Sequence, residues 1–96
     1  MSTGRALMVR RATVPAAAEA AYLAMAAELR RLAALRGAHR WLFRRPGDGG
    51  TFLEFHEGPA GMLGALSSDE RALEHRFAAL AEHAAGANEV WDEVTL

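Results

Sequence analysis

The stretch HRWLFRRPGDGGTFLEFHE, residues 39–57, decides the fold of this chain. Two runs rich in aromatic and aliphatic residues flank a short segment of proline, aspartate and glycine. Pro46 fixes its own φ, and the glycines that follow it can adopt positive φ: Gly47, Gly49 and Gly50. Residues 39–57 are therefore predicted to form a β-hairpin.

A strand and a long helix are predicted before the hairpin. Residues 5–14 alternate between two faces and predict the first strand. Residues 16–36 contain no glycine, proline or β-branched residue. They predict a helix that begins after Pro15 and ends at Gly37, where glycine is the usual cap.

A helix and a strand are also predicted after the hairpin. Residues 57–68 form an irregular connection that contains three glycines. Ser67 and Glu70 have the spacing of a capping box, which predicts the start of the second helix. Gly86 is expected to end this helix, and residues 88–96 predict the last strand.

Apolar residues recur at helical spacing in both predicted helices and give each one a buried stripe. The first stripe contains Tyr22, Met25, Ala26, Leu29, Leu32 and Ala33. The second contains Leu73, Phe77, Leu80, Ala81 and Ala84. The element order βαββαβ predicts an α+β protein, a ferredoxin-like sandwich whose four-stranded antiparallel sheet carries both helices on one face. The first and third strands are expected in its centre, and a length of 96 residues predicts one domain over residues 1–96.

Composition narrows the classes of function. The chain has 11 basic residues, all of them arginine, against 12 acidic residues, and this near-neutral balance disfavours a nucleic-acid partner. It has no cysteine, so disulfides, thiolate nucleophiles and cysteine-based zinc sites are excluded. No signal peptide or membrane span is recognisable, which predicts a cytoplasmic protein. The alanine- and arginine-rich composition is typical of a GC-rich bacterial genome.

The two faces of the sheet are predicted from the strand alternation. The face against the helices is assigned Leu7, Val9, Leu42, Leu53, Phe55, Val90, Val94 and Leu96. The opposite face is assigned Met8, Arg10, His39, Trp41, Phe43, Phe52, Glu54, His56, Trp91 and Glu93. A face with so many aromatic side chains is too apolar to stay bare on a soluble monomer, so we expect a homodimer through the sheet face. The charged residues on it would then pair, meet a ligand or line a wet cavity.

Three sequence features accompany the predicted element order. They are the segment FLEFHE in strand three, the pair Glu74 and His75 on the second helix, and Trp91 near the C-terminus. With the βαββαβ order and the length, the chain resembles the dimeric α+β barrel superfamily, which includes the antibiotic-biosynthesis-monooxygenase-like proteins. The resemblance implies a homodimer with a small-molecule pocket, and an activity such as cofactor-independent oxygenation or isomerisation. Haem-degrading members use an asparagine on the first strand, which is absent here, so haem degradation is not expected.

Glu54 and His56 are the strongest candidates for chemistry. They lie two residues apart on one strand, so both side chains leave the same face about 7 Å apart. A histidine beside a carboxylate can act as a general base. The alternative is that Glu54 forms a structural ion pair with Arg10 across the two central strands.

The functional hypothesis follows from these residues. We expect a small-molecule-binding protein, either a cofactor-independent monooxygenase or an isomerase, that acts on an aromatic or polyketide-like substrate. His56 would be the base, Glu54 would orient it, and Arg10 would stabilise an enolate oxygen. The substrate would pack against Trp41, Phe43, Phe52 and Trp91. The alternative is a non-catalytic ligand sensor or oligomeric interaction module, in which these aromatic residues fill a dimer interface.

No cofactor or metal is predicted. His75 and His83 lie eight residues apart on the predicted second helix, which is not the spacing of a helical zinc site. The segment PGDGG links two strands and leads into no helix N-terminus, so it is not a phosphate-binding loop.

Overall fold

A computed structural model describes residues 4–96 as an antiparallel sheet with two helices on one face. The chain runs through strands and helices in the order β1, α1, β2, β3, α2, β4 and β5. Their bounds are Arg5–Thr13, Glu19–Ala34, His39–Arg44, Thr51–Pro59, Ser68–Ala78, Glu82–His83 and Glu89–Asp92. Short 3₁₀ turns at Ala16–Ala18 and Ala60–Met62 lead out of β1 and β3.

The sheet has the strand order predicted for a ferredoxin-like sandwich. β2 pairs with β3, β3 pairs with β1, and both pairs are antiparallel. β4 and β5 share the other side of β1, where β4 pairs near Thr13 and β5 pairs near Leu7. This edge therefore consists of two short segments. Only β5 falls within the last predicted strand, because β4 lies in the predicted second helix. The prediction that the first and third strands are central is confirmed.

The predicted hairpin between β2 and β3 is present. Gly47 has a φ of +76°, which a residue with a side chain rarely adopts, whereas Gly49 and Gly50 do not need positive φ. Asp48 stabilises the turn through its carboxylate, which accepts hydrogen bonds from the Gly50 amide at 3.1 Å and the Thr51 hydroxyl at 2.9 Å.

α1 ends as predicted at a glycine. Gly37 has a φ of +74°. Its amide donates to the carbonyl of Ala34 at 3.2 Å, and the amide of Ala38 donates to the carbonyl of Ala33 at 3.0 Å. This pair of bonds is a Schellman cap, which turns the chain out of the helix and into β2. Among residues 4–96, no helix is long and apolar enough to cross a membrane.

α2 begins as predicted but ends early. The Ser67 hydroxyl accepts a hydrogen bond from the Glu70 amide at 3.1 Å, so the predicted cap is confirmed. The prediction that the helix continues to Gly86 is wrong, because it ends at Ala78. The residues that follow pair with β1 as β4, and this pairing overrides their alanine-rich helix propensity. Gly86, at a φ of +72°, instead lies in the turn between β4 and β5.

The predicted faces of β1 and β3 are reversed in the structure. Arg10 lies opposite Glu54 across the two strands, and the Tyr22 hydroxyl of α1 donates a hydrogen bond to that carboxylate. Since paired residues of neighbouring strands share a face, the side facing the helices carries Ala6, Met8, Arg10, Ala12, Phe52, Glu54, His56 and Gly58. The open side carries Leu7, Val9, Leu53 and Phe55.

The predicted faces of the edge strands agree better with the structure. Leu42 lies opposite Glu54, so it faces the helices as predicted. Val90 lies opposite Met8 and also follows the prediction. The predicted open-face positions of His39, Trp41, Phe43 and Trp91 agree with the pairing of β2 and β5. Val94 and Leu96 lie beyond β5 and are exposed, so their predicted place under the helices is wrong.

Small residues explain why the helices pack on the side that carries charges. Gly58 faces the segment after α1, and a Cβ added there would lie 3.0 Å from the Cβ of Ala38. Ala6 and Ala12 are buried on the same side. The core beside them is aromatic: the ring of Tyr22 stacks on Phe77 at 4.5 Å and lies 5.1 Å from Phe52 between ring centroids.

Candidate functional site

A cavity of about 480 Å³ lies between α1 and the β2–β3 hairpin. Its walls are mostly apolar, with lining residues Leu23, Ala26, Ala27, Leu29, Trp41, Leu42, Phe43, Phe55 and Phe77. Three charged residues complete the lining: Arg30, Arg40 and Glu54. A volume of this size and a few convergent polar groups are typical of a small-molecule site.

Glu54 is the carboxylate of this cavity, and its oxygens are well supplied with hydrogen bonds. The Arg10 guanidinium lies at 2.6 Å, the Tyr22 hydroxyl donates at 2.6 Å, and Nε2 of His83 lies 3.3 Å from both oxygens. Burial and the hydrogen bond to Glu54 raise the pKa of Tyr22, so its hydroxyl stays protonated and remains a donor. The prediction of an Arg10–Glu54 pair across the central strands is confirmed.

A chain of ion pairs continues from Glu54 beneath α2. Arg10 also contacts Glu74 at 3.3 Å, and Arg40 joins Glu74 at 2.9 Å to Glu70 at 3.0 Å. Arg36 then contacts Glu70 at 2.6 Å. This polar layer contains three arginines and three glutamates, so its formal charges cancel.

Glu70 is the most deeply buried member of the polar layer. Its side chain is 1% exposed. Although burial raises the pKa of a carboxyl group, hydrogen bonds from Arg36 and Arg40 hold the pKa of Glu70 below its ordinary value. Glu70 is therefore an ionised, fully paired group.

His56 lies at the far end of the polar layer and does not contact Glu54. Its Nε2 is 2.6 Å from Nη2 of Arg36. Burial, together with the positive charges of Arg40 and Arg36, lowers the pKa of His56 to about 4. Because a guanidinium can only donate, the neutral imidazole accepts this hydrogen bond at Nε2 and carries its own proton on Nδ1. The prediction that Glu54 orients His56 is wrong, because Glu54 is held by Arg10, Tyr22 and His83 instead.

The predicted substrate-binding residues are divided among three places. Trp41 and Phe43 are among the residues that line the cavity, although the strand pairing places their side chains on the other side of the sheet from Glu54. Phe52 is 2% exposed and lies in the core, so it is not available to a ligand. Trp91 lies on the open face beside β1, on the opposite side of the sheet from Glu54. Arg10 lies behind Glu54 and is not part of the cavity lining.

Sequence reasoning missed two partners of Glu54. His83 is predicted on the second helix, and only the early end of α2 brings it to β4 and the carboxylate. Tyr22 is predicted in the buried stripe of the first helix, and its ring is indeed buried. That prediction did not name a hydrogen-bond partner for its hydroxyl group. A buried tyrosine hydroxyl needs a partner, and this requirement could have identified the site. Within the described part of the chain, no group of three or more His, Asp or Glu side chains could hold a metal ion.

The open side of the sheet is a second feature of functional interest. It carries the apolar side chains Leu7, Val9, Trp41, Phe43, Leu53, Phe55 and Trp91. Phe43 and Trp91 are each 57% exposed. Aromatic rings pack against each other here, with Phe43 edge-on to Phe55 at 5.2 Å between centroids. We call this surface the open face. Several exposed aromatic side chains on one surface are characteristic of an interaction site.

Two solved structures are similar to this chain. A conserved protein of unknown function from Bacteroides thetaiotaomicron, named a possible oxidoreductase, superposes with a TM-score of 0.80 at 14% identity, covering 96% of this chain and 100% of that one. A Bordetella bronchiseptica protein provisionally named an antibiotic biosynthesis monooxygenase gives a TM-score of 0.66 at 18% identity, covering 97% and 98%. This chain has the antibiotic-biosynthesis-monooxygenase-like fold.

The likeness to these proteins concerns the fold alone, because the identities are low. Proteins with this fold are typically dimeric. No protein-family model matches the sequence, and no curated protein matches it.

Proposed function

We propose that this chain binds a small, partly aromatic molecule in the cavity between α1 and the β2–β3 hairpin. The observation that carries the proposal is the position of Glu54. A carboxylate fixed by Arg10 and Tyr22 lies in the wall of an otherwise apolar cavity of about 480 Å³. Apolar walls of this kind can accept the body of a ligand, and the few charged groups among them can orient it.

The chemistry that fits this site begins with proton transfer. Glu54 accepts a proton from a carbon next to a carbonyl group, and the substrate becomes an enolate. In an isomerase the proton returns to a different carbon. In a cofactor-independent monooxygenase the enolate gives electrons to O₂, and a methylene group plus O₂ becomes a carbonyl plus water without any external reductant. Arg40 lines the cavity, and in this proposal it would stabilise an enolate oxygen in place of Arg10.

His56 is a weaker candidate for the base than Glu54. It does not line the cavity, and its Nε2 lone pair is occupied by Arg36. His56 would instead have a structural role, as a hydrogen-bond partner of Arg36 at the end of the polar layer. His83 is the histidine that contacts the proposed base, and it is placed to exchange a proton with Glu54.

The proposal includes a homodimer formed through the open face. A second copy would cover the apolar side chains that the helices leave bare, and the typical assembly of this fold supports the idea. The cytoplasmic location stays a prediction from the sequence.

A non-catalytic binding protein is the second candidate. One observation favours it: both oxygens of Glu54 are already hydrogen-bonded within the protein. A carboxylate that accepts bonds from an arginine and a tyrosine is a weak base. In this case Glu54 would orient a ligand and carry out no chemistry.

Binding is tested with phenylnaphthylamine, an uncharged aromatic dye that fluoresces when it leaves water. We expect the wild-type protein to bind it at micromolar concentration. Ala27→Trp places a large side chain in the cavity lining and should abolish the signal. Leu35→Trp, at an exposed position outside the lining, is the matched control and should bind as the wild type does. Equal binding by both variants would place the dye elsewhere and contradict the proposal.

Catalysis is tested with β-tetralone, an aromatic ketone with acidic C–H bonds. Proton NMR in D₂O measures deuterium exchange at its α carbon. The enzyme proposal predicts exchange faster than in buffer alone, and loss of that acceleration in Glu54→Gln. If the wild-type protein binds the dye but accelerates no exchange, the non-catalytic candidate is favoured.

A further inference from the structure

The charged side chains that line the cavity differ in how far they are neutralised. Glu54 is paired with Arg10, and Arg40 is paired with Glu70 and Glu74. Both belong to the polar layer, in which positive and negative charges are equal in number. A ligand that enters the cavity therefore meets no net charge from these residues.

Arg30 is different. It lines the cavity from α1, and among residues 4–96 no side chain or carbonyl group accepts a hydrogen bond from it or forms an ion pair with it. Its neighbour Arg31 pairs with Glu28 one turn earlier on the same helix. α1 thus carries two adjacent arginines near its C-terminal end, and the unpaired one is the one that reaches the cavity.

An unpaired guanidinium beside an apolar cavity has a clear chemical preference. Its planar donors match the two oxygens of a carboxylate, and such charge-assisted hydrogen bonds are about twice as strong as neutral ones. Its exposed position means that it pays little desolvation cost before a ligand arrives. The apolar lining, which includes Leu23, Leu42 and Phe77, would meanwhile accept the uncharged body of the ligand.

From this arrangement, which rests on the function proposed above, we infer that the ligand is an amphipathic organic anion. Its aromatic or aliphatic body lies between α1 and the hairpin, and its acidic group, a carboxylate or sulfonate, is bound by Arg30 at the cavity. Arg30 is therefore a specificity-determining residue that selects anionic over neutral ligands of the same shape.

Two dyes of nearly equal shape test the inference. Anilinonaphthalenesulfonate carries a negative charge, and phenylnaphthylamine is the same ring system without the sulfonate. The wild-type protein should bind the anionic dye at least about tenfold more tightly. Arg30→Gln should weaken the anionic dye by about tenfold and change the affinity for the neutral dye by less than about twofold, an effect expected for one charge-assisted contact.

Arg31→Gln is the matched control, because it removes the same charge from the next position of α1. It should leave both affinities unchanged, whereas an equal effect of the two variants would show only general electrostatic attraction and overturn the inference. Ala27→Trp should abolish binding of both dyes. If the neutral dye binds as tightly as the anionic dye to the wild-type protein, the inference is wrong while the proposed cavity stands. If neither dye binds, the proposed function itself fails, and the inference fails with it.

Discussion

The two sides of this sheet differ in polarity and in how far the subunit buries them. The side under the helices carries charged residues such as Arg10, Glu54 and His56, yet each finds a partner within the chain. The open face carries mainly apolar and aromatic side chains, of which Trp41, Phe43 and Trp91 are exposed in the subunit. Hydrophobicity alone therefore does not identify the side that a helix covers. A charged side can be buried when neighbouring elements supply the counter-charges.

The largest effect is expected from breaking the polar layer at Glu70. Glu70→Ala leaves Arg36 and Arg40 without their shared counter-charge in a buried site. Removing one partner of a buried ion pair costs about 3–5 kcal/mol, so we expect a loss of that size in the free energy of unfolding, measured by urea denaturation at constant protein concentration.

Glu28→Ala provides the comparison for Glu70→Ala. Glu28 pairs with Arg31 on the exposed surface of α1, where such a pair contributes about 0.2–1 kcal/mol. Equal effects of the two substitutions would mean that the polar layer stabilises the fold no more than a surface ion pair does, and the contrast between the two sides of the sheet would fail.

A smaller loss is expected from Tyr22→Phe. The substitution keeps the ring that stacks on Phe77 and removes only the hydroxyl that donates to Glu54. A hydrogen bond to a charged group contributes about 1.5–3 kcal/mol, and this is the loss we predict in urea denaturation. A change below about 0.5 kcal/mol would show that the Tyr22 hydroxyl does not hold the carboxylate.

The smallest effect is the pH dependence that comes from His56. In the folded protein the pKa of His56 is lowered to about 4 from an ordinary value of 6.5. The unfolded chain then binds the proton more readily, so stability is complete above about pH 6.5 and falls as the pH drops from there towards 4. After allowance for solvent screening we expect a loss on the order of 1–2 kcal/mol.

The pH effect is measured between pH 7 and 5, which lies above the ordinary pKa range of carboxyl groups. Arg36, Arg40, Glu57 and Glu70 are the charged groups that influence His56, and they keep their charges over this range. His56→Gln should flatten the dependence of stability on pH. His75→Gln, on the exposed side of α2, should leave it as in the wild type. A slope that survives in His56→Gln would assign the dependence to another group.

The sequence was sufficient for the order of the elements. The turn around Gly47, the glycine after α1 and the cap at Ser67 each act through a few neighbouring residues, so local chemistry predicts them. The sequence was not sufficient to predict which residues of β1 and β3 face the helices. Leu7 and Val9 lie on one face of β1, and Met8 and Arg10 lie on the other. Alternation alone favours burying the apolar pair under the helices, and a shift of one residue exchanges the faces.

Only part of the cavity lining was anticipated from the sequence. Glu54, Trp41 and Phe43 line the cavity, whereas His56, Arg10, Phe52 and Trp91 do not. The pair of Glu54 with Arg10 was among the alternatives, because it depends only on the neighbouring positions of two central strands. The partners from α1 and β4, Tyr22 and His83, depend on how the helices pack and where α2 ends. Those features arise from tertiary contacts, which strand alternation and helical periodicity do not encode.

The central claim is that a second copy of the chain covers the open face, and native mass spectrometry at micromolar concentration tests it most directly. The compared proteins are the wild type, Phe43→Asp and the control Leu35→Asp, in which the exposed residue lies outside the sheet. We predict a dimer for the wild type and for Leu35→Asp, and a folded monomer for Phe43→Asp, because a buried unpaired charge opposes assembly. A wild-type monomer, or a Phe43→Asp dimer as stable as the wild type, would contradict the claim.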